Sequence, residues 1–259
     1  MDLTLFFKEQ GIDVFSEVSL DDLSDDDKAS VVEFFPAAQS VIVFGKEVPV
    51  SVYRMQKKEK TRGMLQVAEV LDNTAIRLAT LLEKNQVPAK PVPLYLPVRI
   101  TDGKVQGLVR LKPVAAAAGL GSPGKNTVLF NPSFGPRLLL SGVVTSRHVQ
   151  KTRKTENNEG KNEVLACTGC GRCIKVCPEG ALGTADVDAF RCRTVRAFVP
   201  PVLVPAAKWM LGRMLVLKCL VPLAPRIARM ATIRCSLCVT ECPNFKKELR
   251  GRVEHDNKT

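Results

Sequence analysis

Between Gln66 and Leu82, the apolar residues Val67, Val70, Leu71, Ala75, Leu78, Ala79 and Leu82 return every three or four positions. That period lays one stripe along a helix and predicts an amphipathic helix packed on a core, followed by a turn at KNQVPAKP. The period then changes. SVIVFGK is short, apolar and rich in β-branched residues, which predicts a buried strand. Leu94–Arg99, Thr127–Phe130 and Leu138–Thr145 read as further strands, and RLKPVAAAAGLGSPGKN as a short alanine-rich helix running into a glycine loop. The first thirty residues predict an opening amphipathic helix and then the acidic run Asp21 to Asp27, read as a solvated loop with a helix N-cap. Helices and strands thus interleave through residue 145, predicting an α/β-layered arrangement.

The pattern stops at 147–163, where RHVQKTRKTENNEGKNE offers almost nothing to bury. This places a domain boundary near residue 150, giving a cofactor- or partner-binding domain at 1–150 and a cysteine-bearing domain at 151–259. Inside the second lies an apolar, basic insertion at 197–225, broken by Lys208, Arg213, Lys218 and several prolines. Its longest uncharged run, Ala197 to Ala207, is too short for the ~20 residues of a membrane-spanning helix. Two readings stay open: a segment packed on the rest of the protein or over its metal centres, or an interfacial segment with snorkelling cations.

Charge sharpens the division. The net charge is +12, of which residues 1–150 (18 Lys+Arg, 16 Asp+Glu) contribute +2 and residues 151–259 (20 and 10) contribute +10. A basic half invites an acidic partner or nucleic acid. Aromatic residues are only 5%, which counts against a base-stacking platform. Nine cysteines, with no export signal at the N-terminus, point to metal chemistry in a reducing compartment, the cytoplasm, rather than to disulfides.

The cysteines carry the chemistry. Cys167, Cys170, Cys173 and Cys177 stand as C-x2-C-x2-C-x3-C-P, and Cys235, Cys238 and Cys242 as C-x2-C-x3-C-P. Paired CxxC motifs also bind zinc, but zinc does not ask for the third cysteine of a run or for the cysteine–proline ending. The composite pattern predicts two [4Fe–4S] clusters. In two-cluster ferredoxins the fourth cysteine of a run ligates the other cluster. Cys167, Cys170, Cys173 and Cys242 are therefore assigned to one cluster, and Cys177, Cys235 and Cys238 to the second, which lacks a ligand. Cys192, in the polar FRCRTVR, is chosen over Cys219, which sits among apolar residues in VLKCLVP.

Ahead of the cysteines, AAAAGLGSPGKNTVLFNPSFGPRLLLSGVVTS (115–146) resembles the glycine loop and following strand of the epoxyqueuosine reductase family and its relatives, the corrinoid-dependent reductive dehalogenases. FFPAAQSVIVFGKEVP, LLEKNQVPAKPVP and the cysteine in FRCR resemble the same family, so the likeness runs over about residues 34–259. It implies an α+β protein with an N-terminal corrinoid-reductase-like domain followed by a two-cluster ferredoxin-like domain. It further implies that Gly119, Gly121, Gly124, Lys125 and Asn126 lie near a corrinoid such as cobalamin, and that Cys192 is a cluster ligand. The chain also departs from the family. The interval KVQGLVRLKPVAAA before the loop lacks the acidic residue the reductases use, and Asp102 is out of register. Tyr53 and Tyr95 match no motif, and His148 and His255 sit in polar segments.

The expectation is an iron–sulfur oxidoreductase that passes electrons through two clusters to a redox centre, a corrinoid by resemblance, in the N-terminal domain. The alternatives are an electron-transfer protein docking on a protein or membrane surface through 197–225, and a tRNA-modifying reductase of the epoxyqueuosine type. Its partners would be an electron donor or acceptor protein and, in the last case, tRNA.

Overall fold

The computed structural model describes residues 2–94, 97–101, 104–149, 167–183, 187–196, 199–211, 213 and 232–245. The chain begins with helix α1 (Leu3–Glu9), strand β1 (Val14–Ser19), helix α2 (Asp25–Phe34), strand β2 (Ser40–Glu47) and helices α3 (Val50–Arg54) and α4 (Lys57–Lys84). Strand β3 (Ala89–Pro91), the hairpin β4 (Val98–Thr101) and β5 (Lys104–Gly107), helix α5 (Leu111–Ala117), the pair β6 (Ser122–Pro123) and β7 (Leu129–Phe130), and β8 (Leu138–Thr145) follow. Among the described residues, four short helices accompany the cysteines: α6 (Arg172–Lys175), α7 (Arg193–Arg196), α8 (Val204–Leu211) and α9 (Leu237–Thr240).

The sheet runs β1-β2-β8-β3 with every neighbouring pair antiparallel, so the layers are those of an α+β protein. β2 occupies an interior position and is buried from Ser40 to Gly45. Successive strand residues point to opposite faces. Val41 and Val43 accordingly enter one core with Val31 and Phe34 of α2 and Val114 and Ala115 of α5. Ile42 and Phe44 enter the other, with Phe7 of α1 and Leu71, Ala75, Leu78 and Leu82 of α4. Helices therefore cover both faces, which is why β2 reads as an unbroken apolar run. Each large apolar side chain fully buried this way stabilises the fold by about 1.5–3 kcal/mol.

Several elements depart from the sequence expectations, for local reasons. β1 was not expected, because Ser16 and Glu17 interrupt its apolar residues. Both are satisfied inside the fold: Ser16 Oγ donates to the Ala118 carbonyl (2.8 Å), and Glu17 accepts from Ser40 Oγ (3.1 Å). α4 begins at Lys57, nine residues ahead of Gln66. Its first turns are polar because they meet residues 233–236 rather than the sheet: Thr61 Oγ1 accepts from the Ile233 N–H (2.8 Å), and Lys60 Nζ donates to Ser236 Oγ (3.2 Å). The expected strand at Leu94–Arg99 starts only at Val98, with 95–96 outside the described residues, and the one at Thr127–Phe130 shrinks to Leu129–Phe130. Thr127 has φ 62, which no extended strand residue adopts.

The acidic run is not simply solvated. Ser24 caps α2, and Asp25, Asp26 and Asp27 fill its first turn, where the helix dipole favours them. Asp27 is buried and accepts from Arg110 Nε at 2.7 Å. Of the expected domain boundary at 147–163, residues 150–163 lie outside the described residues, as do Tyr95, Asp102, Cys219 and His255.

The second cysteine run packs directly on the N-terminal layers. Val239 and Phe245 belong to the same core as α4 and the sheet, and Phe245 meets the Tyr53 ring edge-on at 5.2 Å. Arg137, only 1% exposed, fixes this junction: Nη2 and Nε donate to Glu47 Oε1 at 2.7 and 3.1 Å, and Nη1 donates to the Phe245 carbonyl.

Candidate iron–sulfur site

The thiols fall into two groups. One concavity is lined by Cys167, Cys170, Cys173 and Cys242 together with Lys125 and Asn126. The fold brings Cys242 there because α9 and the Pro243–Asn244 turn carry it back against the first run. Burial pushes the Cys242 thiol up, and the neighbouring Cys167, Cys170 and Cys173 push it further. The second group surrounds Cys238. Burial raises its thiol to about 11, with Cys235, Cys192, Cys177 and Cys173 adding to the shift. Cys192 is held near α9 by Thr194, whose Oγ1 accepts from the Cys235 N–H (3.2 Å).

Thiols that raise one another resist losing their protons together, because the resulting negative charges repel at close range. A cationic cluster reverses that balance, since a metal-bound thiol is deprotonated outright. Backbone donors already face the sulfurs. The Lys125 N–H donates to Cys167 Sγ (3.5 Å), and the Ala181 N–H donates to Cys177 Sγ (3.3 Å). The N–H of Arg172 holds the exposed Cys170 thiol below the usual cysteine range. N–H···S bonds of this kind are among the features that set cluster potentials. Among the described residues, no three His, Cys, Asp or Glu side chains converge on one ion position. A four-iron cube makes a different demand, because each thiolate occupies its own iron corner. The donor set and its surroundings fit such clusters.

The glycine loop lies against these thiols. Lys125 reaches the first group through its N–H, and Asn126 reaches the second, donating from Nδ2 to the Cys238 carbonyl at 3.0 Å. Its glycines have local reasons of their own. Gly119 ends α5: the Gly119 N–H bonds to the Ala116 carbonyl and the Leu120 N–H to the Ala115 carbonyl, with Gly119 at φ 77. A Cβ on Gly121 would lie 2.2 Å from the Phe130 carbonyl oxygen, and one on Gly124 would lie 2.7 Å from Asn126 Oδ1. Of the three, only Gly119 would meet nothing within 4 Å, so open space beside the loop is confined to that end. Because the Gly121 contact is with backbone and cannot rotate away, Gly121→Ala is expected to cost about 3 kcal/mol in chemical denaturation. An unchanged midpoint would refute the packing argument.

Two functional features escaped the sequence reading. Arg137 gave no signal beyond an opposite charge, Glu47, at the end of a strand paired with the following one. The polar start of α4, ahead of Gln66, carried no assignment in the sequence. In the 197–225 insertion, Val202, Leu203 and Trp209 are exposed, and the Arg213 guanidinium lies 3.9 Å over the Trp209 ring. Most of that insertion is outside the described residues, and among those described no helix is long and apolar enough to cross a membrane. His148 is exposed just beyond β8.

Comparison with known proteins places these features in company. The 4Fe-4S binding domain profile matches residues 165–182. Epoxyqueuosine reductase of Bacillus cereus is 26% identical over 165 residues, which is 61% of this chain and 40% of that protein. That of Lactococcus garvieae is 34% identical over 80 residues, 30% of this chain and 20% of its own length. The chain thus spans well under half of the curated relatives it matches. Among solved structures, an epoxyqueuosine reductase bound to an epoxyqueuosine-modified tRNA-Tyr stem loop is similar in fold, with a TM-score of 0.55 at 18% identity, covering 95% of this chain and 65% of that one. The Streptococcus thermophilus epoxyqueuosine reductase superposes with a TM-score of 0.50 at 19% identity over 76% of this chain and 58% of its own.

Proposed function

We propose that this chain, a divergent relative of the epoxyqueuosine reductases, passes single electrons through two [4Fe–4S] clusters to a redox centre of the corrinoid kind beside the glycine loop. A modified tRNA nucleoside is the substrate class. Cys167, Cys170, Cys173 and Cys242 hold the first cluster, and Cys177, Cys192, Cys235 and Cys238 the second. The observation that carries the reading is the loop 119–126, whose Lys125 N–H bonds Cys167 Sγ and whose Asn126 amide bonds the main-chain carbonyl of Cys238. The clusters supply one-electron chemistry; the chain holds and tunes them through the N–H groups of Lys125 and Ala181.

The tRNA assignment rests on the curated relatives and on the +10 charge of residues 151–259. The loop leaves a corrinoid little room: Gly121 and Gly124 press against the Phe130 carbonyl and the Asn126 side chain, and of the three glycines only Gly119 faces open space. The division at residue 150, with a cofactor domain before it and a two-cluster domain after it, belongs to the same proposal.

One observation favours a second reading, an electron-transfer module that performs no reduction of its own. A related Bacillus subtilis reductase is described by its catalytic aspartate loop, whereas residues 104–117 here contain no Asp or Glu. General acid catalysis needs a donor within hydrogen-bond reach of the substrate.

Anaerobic reconstitution separates the two. About eight irons per chain, a visible-spectrum change on adding cobalamin, and loss of one oxygen from epoxyqueuosine-containing tRNA by mass spectrometry are expected. The same iron content with no cobalamin response and unaltered tRNA would overturn the reductase reading and leave electron transfer.

A further inference from the structure

Beside the second thiol group lies an open concavity of about 280 Å³ lined by four cations, Lys57, Arg193, Arg196 and Arg234. All four are exposed. They come from three separate stretches of chain. Lys57 opens α4, Arg193 and Arg196 form the turn of α7 that follows Cys192, and Arg234 directly precedes Cys235. Like charges brought together from three stretches repel, so the arrangement needs something to hold it. The holding contacts are visible. Thr194 bonds the Cys235 backbone in both directions, accepting from its N–H and donating to its carbonyl (3.4 Å), which ties α7 to Arg234. Thr61 and Lys60 bond Ile233 and Ser236, which brings the start of α4 to the same place. Of the four cations, Arg196 pairs with Glu179; among the described residues Lys57, Arg193 and Arg234 have no carboxylate partner.

We propose that this concavity is where an acidic electron-donor protein docks, handing its electron to the cluster held in part by Cys192 and Cys235. The proposal rests on the two-cluster reading above and names its partner surface. Three of the four cations are within four residues of one of those two cysteines, so a partner neutralising them sits over the cluster. In the step, one electron leaves the donor's reduced centre and enters the oxidised cluster, which is reduced by one electron; no bond or proton moves. Charge complementarity mainly sets the encounter rate, by factors of about 10 to 1,000 at low salt. A nucleic-acid occupant is the less favoured alternative, because the concavity is lined by cations alone and offers no aromatic face for stacking.

The test uses the full chain with reduced flavodoxin as an acidic probe and reduced methyl viologen, itself a cation, as the control donor. Lys57→Glu, far in sequence from any cysteine, and Lys57→Glu with Arg196→Gln are compared with the unaltered protein. Expected is an association constant for flavodoxin, by calorimetry, that falls about tenfold or more and whose salt dependence flattens. The rate of cluster bleaching by flavodoxin should fall alike, with the viologen rate and iron content unchanged. Flavodoxin binding and reduction within twofold of the unaltered protein would overturn the docking site. Loss of tRNA retention with flavodoxin binding intact would overturn it in favour of nucleic acid. The calorimetry reads the surface even without iron, whereas failure of viologen to bleach the unaltered protein would count against the two-cluster reading instead.

Discussion

Cys192→Ala, purified and reconstituted with iron and sulfide, is expected to hold about half the iron of the unaltered chain, while Cys219→Ala keeps it all. The argument starts from position. Cys192 stands immediately before α7, whose Thr194 is bonded to the Cys235 backbone, and its charge reaches the Cys238 thiol. Under the proposed ligand set, removing one thiolate from the Cys238 group would leave three ligands and an iron corner open to solvent. The other group, around Cys242, feels Cys167, Cys170 and Cys173 and should keep its metal. Iron and sulfide analysis together with low-temperature electron paramagnetic resonance on the reduced protein provides the readout. Equal iron in Cys192→Ala and the unaltered protein would remove Cys192 from the ligand set. A loss of iron in Cys219→Ala would point to that residue instead.

The second large effect concerns stability. Arg137→Met is expected to destabilise the protein by about 3–5 kcal/mol and to lower its melting temperature by roughly 10 °C. The guanidinium is 1% exposed, whereas its partner Glu47 is 19% exposed, so truncation leaves a largely buried carboxylate without its cation. It also orphans the Phe245 carbonyl and removes the cation over the Phe245 ring at 5.7 Å. The double variant with Glu47→Met should be less damaging than Arg137→Met alone, because no uncompensated charge then stays behind. Thermal unfolding followed by circular dichroism reads both. Simple additivity of the two substitutions would mean that the pair is not coupled.

The elements legible in the sequence are those whose burial is one-sided or complete. α4 showed its stripe because the sheet takes up Leu71, Ala75, Leu78 and Leu82, and β8 was readable to the residue at Leu138–Thr145. α5 was visible from its alanines, and the glycine after it from the helix end it makes. The unread polar contacts share one cause: the partner was a polar group far away in sequence. Ser16 looks like surface until the Ala118 carbonyl meets it, and Asp27 looks solvated until Arg110 does. Thr61 and Lys60 look exposed until residues 233–236 arrive. At the candidate site, residue type and spacing singled out the cysteines. The loop's contacts with Cys167 and Cys238 depend on a backbone N–H and an amide, which carry no pattern along the chain.

The mixed membership of the two thiol groups also bears on biosynthesis. Cys242 lines one concavity with Cys167, Cys170 and Cys173, and the proposed assignment sets Cys235 and Cys238 with Cys177 and Cys192. Neither group is complete until residues 235–242 have left the ribosome. By then β2, β8 and α4, which make up most of the core that Val239 and Phe245 join, have long been synthesised. Under the proposed ligand assignment, iron delivered early would find only partial ligand sets, and complete sets would form only on a chain whose scaffold has already been synthesised.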